Sequence, residues 1–207
     1  MTSSTTKVTA LFWDVGGVVL SDGWDSDSRL KATEKYGLDR EDFEERHQEV
    51  VAAFETGKMD LDEYMERTVF YRVRAFTKED FTDFVLAQSQ PYPATLDILK
   101  RFAESKTYLL ATLNNESLDL NRYRIERFGL RDYFSVFFSS CFLGIQKPQE
   151  AIYRMALQMT QRAPQASVFI DDRTENLEPA RRCGMRTVHY QNPGQLQREL
   201  VDLGIEI

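Results

Sequence analysis

The chain has 207 residues, with 26 Lys and Arg against 33 Asp and Glu for a formal net charge of -7, and 42% of its residues are hydrophobic. That length suits one substantial core, or a core with a small insertion, and the negative charge disfavours nucleic acid or an anionic membrane as a partner. The opening MTSSTTK lacks an apolar signal region, no run nears the roughly 18–20 residues of a membrane span, and Cys141 and Cys183 lack metal-ligand spacing. A cytoplasmic protein with reduced thiols is the expectation.

The first element in chain order is VTALFWDV, an apolar run rich in β-branched and aromatic residues, as in a strand buried on both faces. It ends at Asp14 and passes at once into Gly16-Gly17. From Asp22 to Gln90 no comparable strand occurs. REDFEERHQEVVAAFETG reads as an amphipathic helix ending near Gly57. DLDEYMERTVFY opens on Asp60 as N-cap, with Glu63 three residues on, and TKEDFTDFVLAQ opens on Thr77. An all-helical insertion over 22–91 is predicted, with Asp22-Gly23 and QPYP (90–93) as its hinges.

Strand and helix then alternate. TYLLATL, FSVFFSS, ASVFIDD and MRTVHY read as strands. ESLDLNRYRIERF, PQEAIYRMALQM and RTENLEPARRC have helical spacing, and Gly129 and Gly184 suit helix C′ positions. The alternation predicts an α/β fold, a Rossmann-like doubly wound parallel sheet formed by 1–21 and 92–207. Ligands of such sheets bind beyond the carboxyl ends of the strands. Four polar clusters fall there: Asp14; Thr112 with Asn114 and Asn115; Lys147; and Asp171-Asp172. Each has an ordinary structural explanation by itself, as a turn cap or a solvated loop charge. Together, three acids, a lysine and a hydroxyl can hold a magnesium ion and a phosphate dianion, because Mg²⁺ takes few carboxylates and accepts phosphate oxygens.

In order along the chain, DVGGV, LLATLNN, GIQKPQEAIY and FIDDRTENLEPARRCGM resemble the four motifs of the haloacid dehalogenase superfamily, in its phosphatase-like branch with a helical cap, from Val8 to about Gln191. The resemblance implies a mobile cap over 22–91, Mg²⁺ as cofactor, and hydrolysis of a small phosphorylated metabolite through an aspartyl-phosphate. It implies Asp14 as nucleophile and metal ligand, Gly16 as donor of a backbone carbonyl to the metal, and Thr112 and Lys147 as partners of the phosphoryl group. Asp172 matches the main metal acid of the fourth motif, and Asp171 and Asn176 match its supporting shell. Asn114 and Asn115 are expected at the substrate, displaced along a turn that in related phosphatases often reads Thr-Asn or Ser-Asn.

Gly16 departs from the pattern, since most phosphatases of the family carry there a second Asp that protonates the leaving oxygen. Such help contributes about 10²–10⁴-fold, so good leaving groups are the expected substrates unless Asp22, Asp171, the cap or a water substitutes. A 2-haloacid dehalogenase and a non-catalytic phosphometabolite-binding module are the alternative readings. In the cap, Trp24, His47 and the Tyr71-Arg72-Arg74 cluster are candidate readers of the leaving group, each with a bland alternative: hinge packing, a solvated helix position, and stems covering apolar surface. His189 reads as structural. The oligomeric state, monomer or homodimer, is open.

Overall fold

A computed structural model describes residues 6–206; most of the polar opening that was read against a leader, Met1 to Thr5, lies outside the described residues. Five strands, β1 (Ala10–Trp13), β2 (Leu109–Asn114), β3 (Val136–Ser139), β4 (Ser167–Asp171) and β5 (Arg186–His189), pair in parallel in the order β3-β2-β1-β4-β5. β1 is central, and all four of its residues are buried. Side chains alternate between the faces of a strand. Leu11 and Trp13 therefore meet one apolar layer, and Ala10 and Phe12 the other.

The helices follow in chain order as α1 (Ser26–Tyr36), α2 (Arg40–Glu55), α3 (Leu61–Thr68), α4 (Lys78–Ala87), α5 (Pro93–Ser105), α6 (Leu118–Arg127), α7 (Ser140–Leu143), α8 (Glu150–Thr160), α9 (Thr174–Arg182) and α10 (Pro193–Asp202). Ile98, Leu99 and Phe102 of α5 and Leu196 and Leu200 of α10 cover one face of the sheet. Ile152, Tyr153 and Ala156 of α8 and Leu177 and Ala180 of α9 cover the other. The chain leaves β1 in one direction to reach β2 and returns to β1's opposite side at β4, so the sheet reverses its order between β1 and β4. That crevice is where an α/β sheet offers a binding site.

α1 to α4 are inserted between β1 and α5 and bury a further cluster, which includes Trp24, Phe43, Phe54, Tyr64 and Phe81 and is joined by Leu120 of α6. The capping expected from the sequence is present: Asp60 accepts from the Glu63 N–H at 2.8 Å, and Thr77 and Asp80 cap one another reciprocally. α1 was not among the expected helices. Its buried residues are Ser28, Arg29, Ala32 and Thr33, mostly polar, so it carries no apolar stripe to read.

The two chain crossings of this insertion run side by side, joined by a Leu20–Pro91 bridge, with Ser21 N–H donating to Gln90 O at 2.8 Å and Tyr92 N–H to Val19 O at 3.0 Å. Arg124 of α6 fastens both, donating from Nη2 to Ser21 O at 2.9 Å and from Nε to Ser89 Oγ at 3.0 Å. Gly23 makes this possible: its φ is 79°, and a Cβ there would overlap the Arg124 guanidinium. Among the described residues no helix is long and apolar enough to cross a membrane. Cys141 and Cys183 are free and buried, as expected.

Candidate active site

Asp14 leaves β1 with its N–H on Ile170 O of β4 at 2.9 Å, which sets its side chain over the reversal point of the sheet. Its Oδ2 lies 2.9 Å from Lys147 Nζ, and the same ammonium lies 2.6 Å from Asp171 Oδ2. Lys147 is 2% exposed and Asp171 is fully buried, so one buried cation serves two carboxylates, of which only Asp14 reaches the cavity. Burial alone would lower the lysine pKa; Asp14 and Asp171 overcome it and hold the ammonium charged. Asp14 is pushed well above the ordinary carboxylate range by burial, against the pull of Lys147 and with the added repulsion of Asp171.

Asn176 donates to both Asp171 oxygens at 3.1 Å, and the Arg173 N–H donates to Oδ1 at 2.8 Å, so the Asp171 carboxylate is locked in place. Asp172 stands differently. Its Oδ1 is buried with no hydrogen-bond partner among the described residues, and burial, followed by repulsion from Asp171 and Asp22, raises its pKa. Gly17 gives it room, having φ 73°, and a Cβ there would come 2.5 Å from Asp172 Oδ2. Carboxylate oxygens of Asp14, Asp171 and Asp172 all lie within 4.8 Å of one another. An orphaned buried carboxylate oxygen beside two more acids fits a hard divalent cation, which would satisfy it.

Thr112 lies on β2 in register with Trp13, and its hydroxyl is also buried without a partner among the described residues. Asn115 holds Lys147 by its main chain, accepting from its N–H at 2.8 Å and donating to its carbonyl at 2.9 Å. The amide was expected at a substrate; here both its polar atoms position the lysine. Asn114 is not brought to the cavity. It is the register partner of Ser139 on β3, from which it accepts at 2.8 Å, and it donates to Asn121 of α6 at 3.3 Å.

A cavity of 420 Å³ opens between these strand ends and the helical insertion, lined on the core side by Asp14, Gly16, Asn115, Lys147 and Asn176. From the insertion come Trp24, Arg29, His47 and Glu55. His47, read as solvated, is 4% exposed, bonded through Nδ1 to Tyr64 Oη at 2.9 Å, and lowered to about 4 by burial and then by Arg29, so it is neutral. The Tyr71-Arg72-Arg74 cluster is absent from this lining. Tyr71 donates to Asp42, and Arg46 stacks 3.6 Å over its ring. Trp24 does both jobs weighed for it, lining the cavity while its indole N–H donates to Tyr64 Oη at 2.9 Å. His189 meets the Asp172 carbonyl at 2.9 Å, a structural contact.

Glu55, Glu116, Arg124 and Arg173 line the cavity and escaped sequence reasoning. Arg124 had a signal: it sits in the buried stripe of α6 with Leu120, Asn121 and Ile125, a charge where an apolar residue belongs. Its Nη1 pairs with Glu116 Oε2 at 2.9 Å, both residues buried.

The family model of haloacid dehalogenase-like hydrolases matches residues 8–184. The chain is 25% identical over 209 residues to drimenol cyclase drtB of Aspergillus calidoustus, a match covering 95% of this chain and 36% of that protein, so it spans about a third of that relative's length. It is 26% identical over 162 residues to flavin mononucleotide hydrolase 1 of Arabidopsis thaliana, covering 78% of this chain and 65% of the relative. A solved structure of the HAD family enzyme BT-2542 from Bacteroides thetaiotaomicron, in complex with magnesium and inorganic phosphate, aligns with a TM-score of 0.73 at 18% identity, over 89% of this chain and 94% of that one. Dehalogenases are also among the solved structures of this fold.

Proposed function

The chain belongs to the haloacid dehalogenase-like hydrolases, and from that premise we propose that it is a Mg²⁺-dependent phosphatase of a small phosphorylated metabolite, working through an aspartyl-phosphate on Asp14. The observation that carries this reading is the buried Lys147 ammonium shared by Asp14 and Asp171, beside an Asp172 oxygen with no partner. A carboxylate can attack phosphorus only where the repulsion between two anions is cancelled. Lys147 cancels part of it at both the nucleophile and an incoming phosphoryl oxygen. Asp14, Asp171, Asp172 and the Gly16 carbonyl would hold the metal, which when bound neutralises phosphate charge and orients it in line with Asp14.

The remaining residues position. Thr112 offers its free hydroxyl to the phosphoryl group, Asn115 holds the lysine loop, and Asn176 holds Asp171. The helical insertion over 22–91 serves as a lid that excludes water and reads the leaving group through Trp24, His47 and their neighbours. A flavin mononucleotide hydrolase among the relatives supports a phosphate monoester as substrate.

The test is phosphate release from a panel of phosphomonoesters, including 4-nitrophenyl phosphate and flavin mononucleotide, with Mg²⁺ and with chelator, beside chloride release from 2-haloacids. Mg²⁺-dependent phosphate release is expected. Metal-independent halide release in its place would overturn the reading.

A further inference from the structure

On the phosphatase reading, Gly16 leaves the leaving oxygen without its usual proton donor. We propose that Glu55, the last residue of α2 in the helical insertion, is the general acid and base of this enzyme, delivered to the active site from the lid side of the cavity.

The placement is structural. Glu55 lines the same cavity as Asp14 and Lys147 and is brought to it by the helical insertion. Its backbone is anchored to the core, because Ser140 at the start of α7 donates its hydroxyl to the Glu55 carbonyl at 2.6 Å. The carboxylate itself has no hydrogen bond or ion pair among the described residues. Of the other cavity acids, Glu116 pairs with Arg124 at 2.9 Å, Asp22 with Arg173 at 3.6 Å and Asp14 with Lys147 at 2.9 Å, Asp25 caps α1 by accepting from the Ser28 N–H at 2.9 Å, and Glu175 is exposed on the rim. Asp171, a sequence candidate for this task, is excluded by its bonds to Lys147 and Asn176.

The charges around Glu55 suit a proton carrier. Burial and then Glu116, which faces it from the loop after β2, push its pKa up to about 7, against the weaker pull of Arg173, Lys147 and Arg29. Asp22, Asp25, Glu175 and Arg124 complete the charged rim of the cavity, and the neutral His47 on its own helix adds none. A donor poised near neutral pH serves both directions of transfer.

The step balances. Asp14 bonds to phosphorus as the ester P–O bond breaks, and the Glu55 proton passes to the departing oxygen, giving the alcohol and the Glu55 carboxylate. That carboxylate then takes a proton from the water that attacks the aspartyl-phosphate, releasing hydrogen phosphate and restoring both acids.

The experiment is a single-turnover series of phosphomonoesters from 4-nitrophenyl phosphate to n-butyl phosphate, on wild type, Glu55→Gln and Glu55→Asp, with pH profiles. Wild type should depend weakly on leaving-group basicity and lose rate on alkyl esters as pH rises past 7. Glu55→Gln should fall about 10²–10⁴-fold on n-butyl phosphate, stay within a few-fold on 4-nitrophenyl phosphate and lose that basic limb, with Glu55→Asp recovering part of the alkyl activity. An equal fall across the series, or no fall on the alkyl ester, would overturn the role of Glu55 while leaving a phosphatase. No phosphate release by wild type from any ester would instead overturn the phosphatase reading, and this inference with it.

Discussion

The Arg124 guanidinium borders the space that a side chain on Gly16 would enter: a Cβ on Gly16 would lie 3.6 Å from Arg124 Nη1. Gly16 has no positive φ, so its backbone accepts a side chain, and the Asp22 Cα at 3.4 Å is its tightest neighbour. From sequence alone, Gly16→Asp should restore the missing proton donor. In the structure the new carboxylate meets a buried cation, which stabilises its charged form. Gly16→Asp is therefore expected to leave turnover of n-butyl phosphate within about 3-fold of wild type, a small change beside the 10²–10⁴-fold worth of a working acid. A rise of tenfold or more would show that the new Asp escapes Arg124 and donates.

Asp14→Asn should abolish phosphate release with the fold intact, since an amide neither attacks phosphorus nor matches a carboxylate as a metal ligand. Asp172→Asn should weaken Mg²⁺ binding at least tenfold, because it alters a carboxylate whose Oδ1 is buried without a partner among the described residues. Circular dichroism and calorimetric titration with Mg²⁺ check both without turnover. Substantial activity in Asp14→Asn would remove the covalent mechanism.

The charge on Glu55 has a stability signature. Its folded pKa of about 7 lies above the ordinary 4.5. An acid raised on folding favours the native state most below its unfolded pKa, and that contribution is lost as pH climbs through the folded value. Glu55→Gln removes the loss. In chelator, the variant should gain about 1–2 kcal/mol on wild type between pH 4.5 and 8, a range reduced for the partial exposure of the group. Urea unfolding at the two pH values measures it, and parallel curves would show that Glu55 titrates normally.

Arg124→Leu should destabilise the protein by about 3–5 kcal/mol, because it leaves Glu116 charged and buried and frees both chain crossings of the insertion. Adding Glu116→Gln should recover part of the loss. A double-mutant cycle read by urea unfolding gives the coupling between the two, and strict additivity would mean that they do not act as a pair.

Lys147→Met should remove activity and lower metal-free stability by about 3 kcal/mol or more, since two buried carboxylates lose the cation they share. Mg²⁺ should raise the unfolding midpoint of this variant, as a ligand that binds only the native state does. A midpoint unchanged by saturating Mg²⁺ would argue against the three acids as its site.

The strands and their chemistry were legible in the chain because both are local. A run such as ALFW can be satisfied only by burial on both faces, strand–helix alternation then forces parallel crossovers, and the residues that end the runs, Asp14 and Asp171-Asp172, must come out together at the carboxyl edge. The helical insertion was legible from its caps, Asp60 and Thr77. Which polar side chains face the cavity was not. In α2, His47 falls at helical spacing in the buried stripe of Phe43, Val50 and Phe54, a signal the sequence held, whereas nothing in the spacing distinguishes Glu55 from the charged residues that stay in water. Of the Tyr71-Arg72-Arg74 cluster, Tyr71 instead meets Asp42 and Arg46, and Arg74 donates to the Val69 carbonyl. Asn114 and Asn115 are adjacent and alike, yet one meets Ser139 and the other holds Lys147, because neighbouring side chains on extended backbone diverge. A buried polar group needs a partner, and for Arg124 and Asn115 the partners lie on other elements, while Glu55 reaches the cavity only through the packing of α2 against the core, so tertiary packing decides what those residues do.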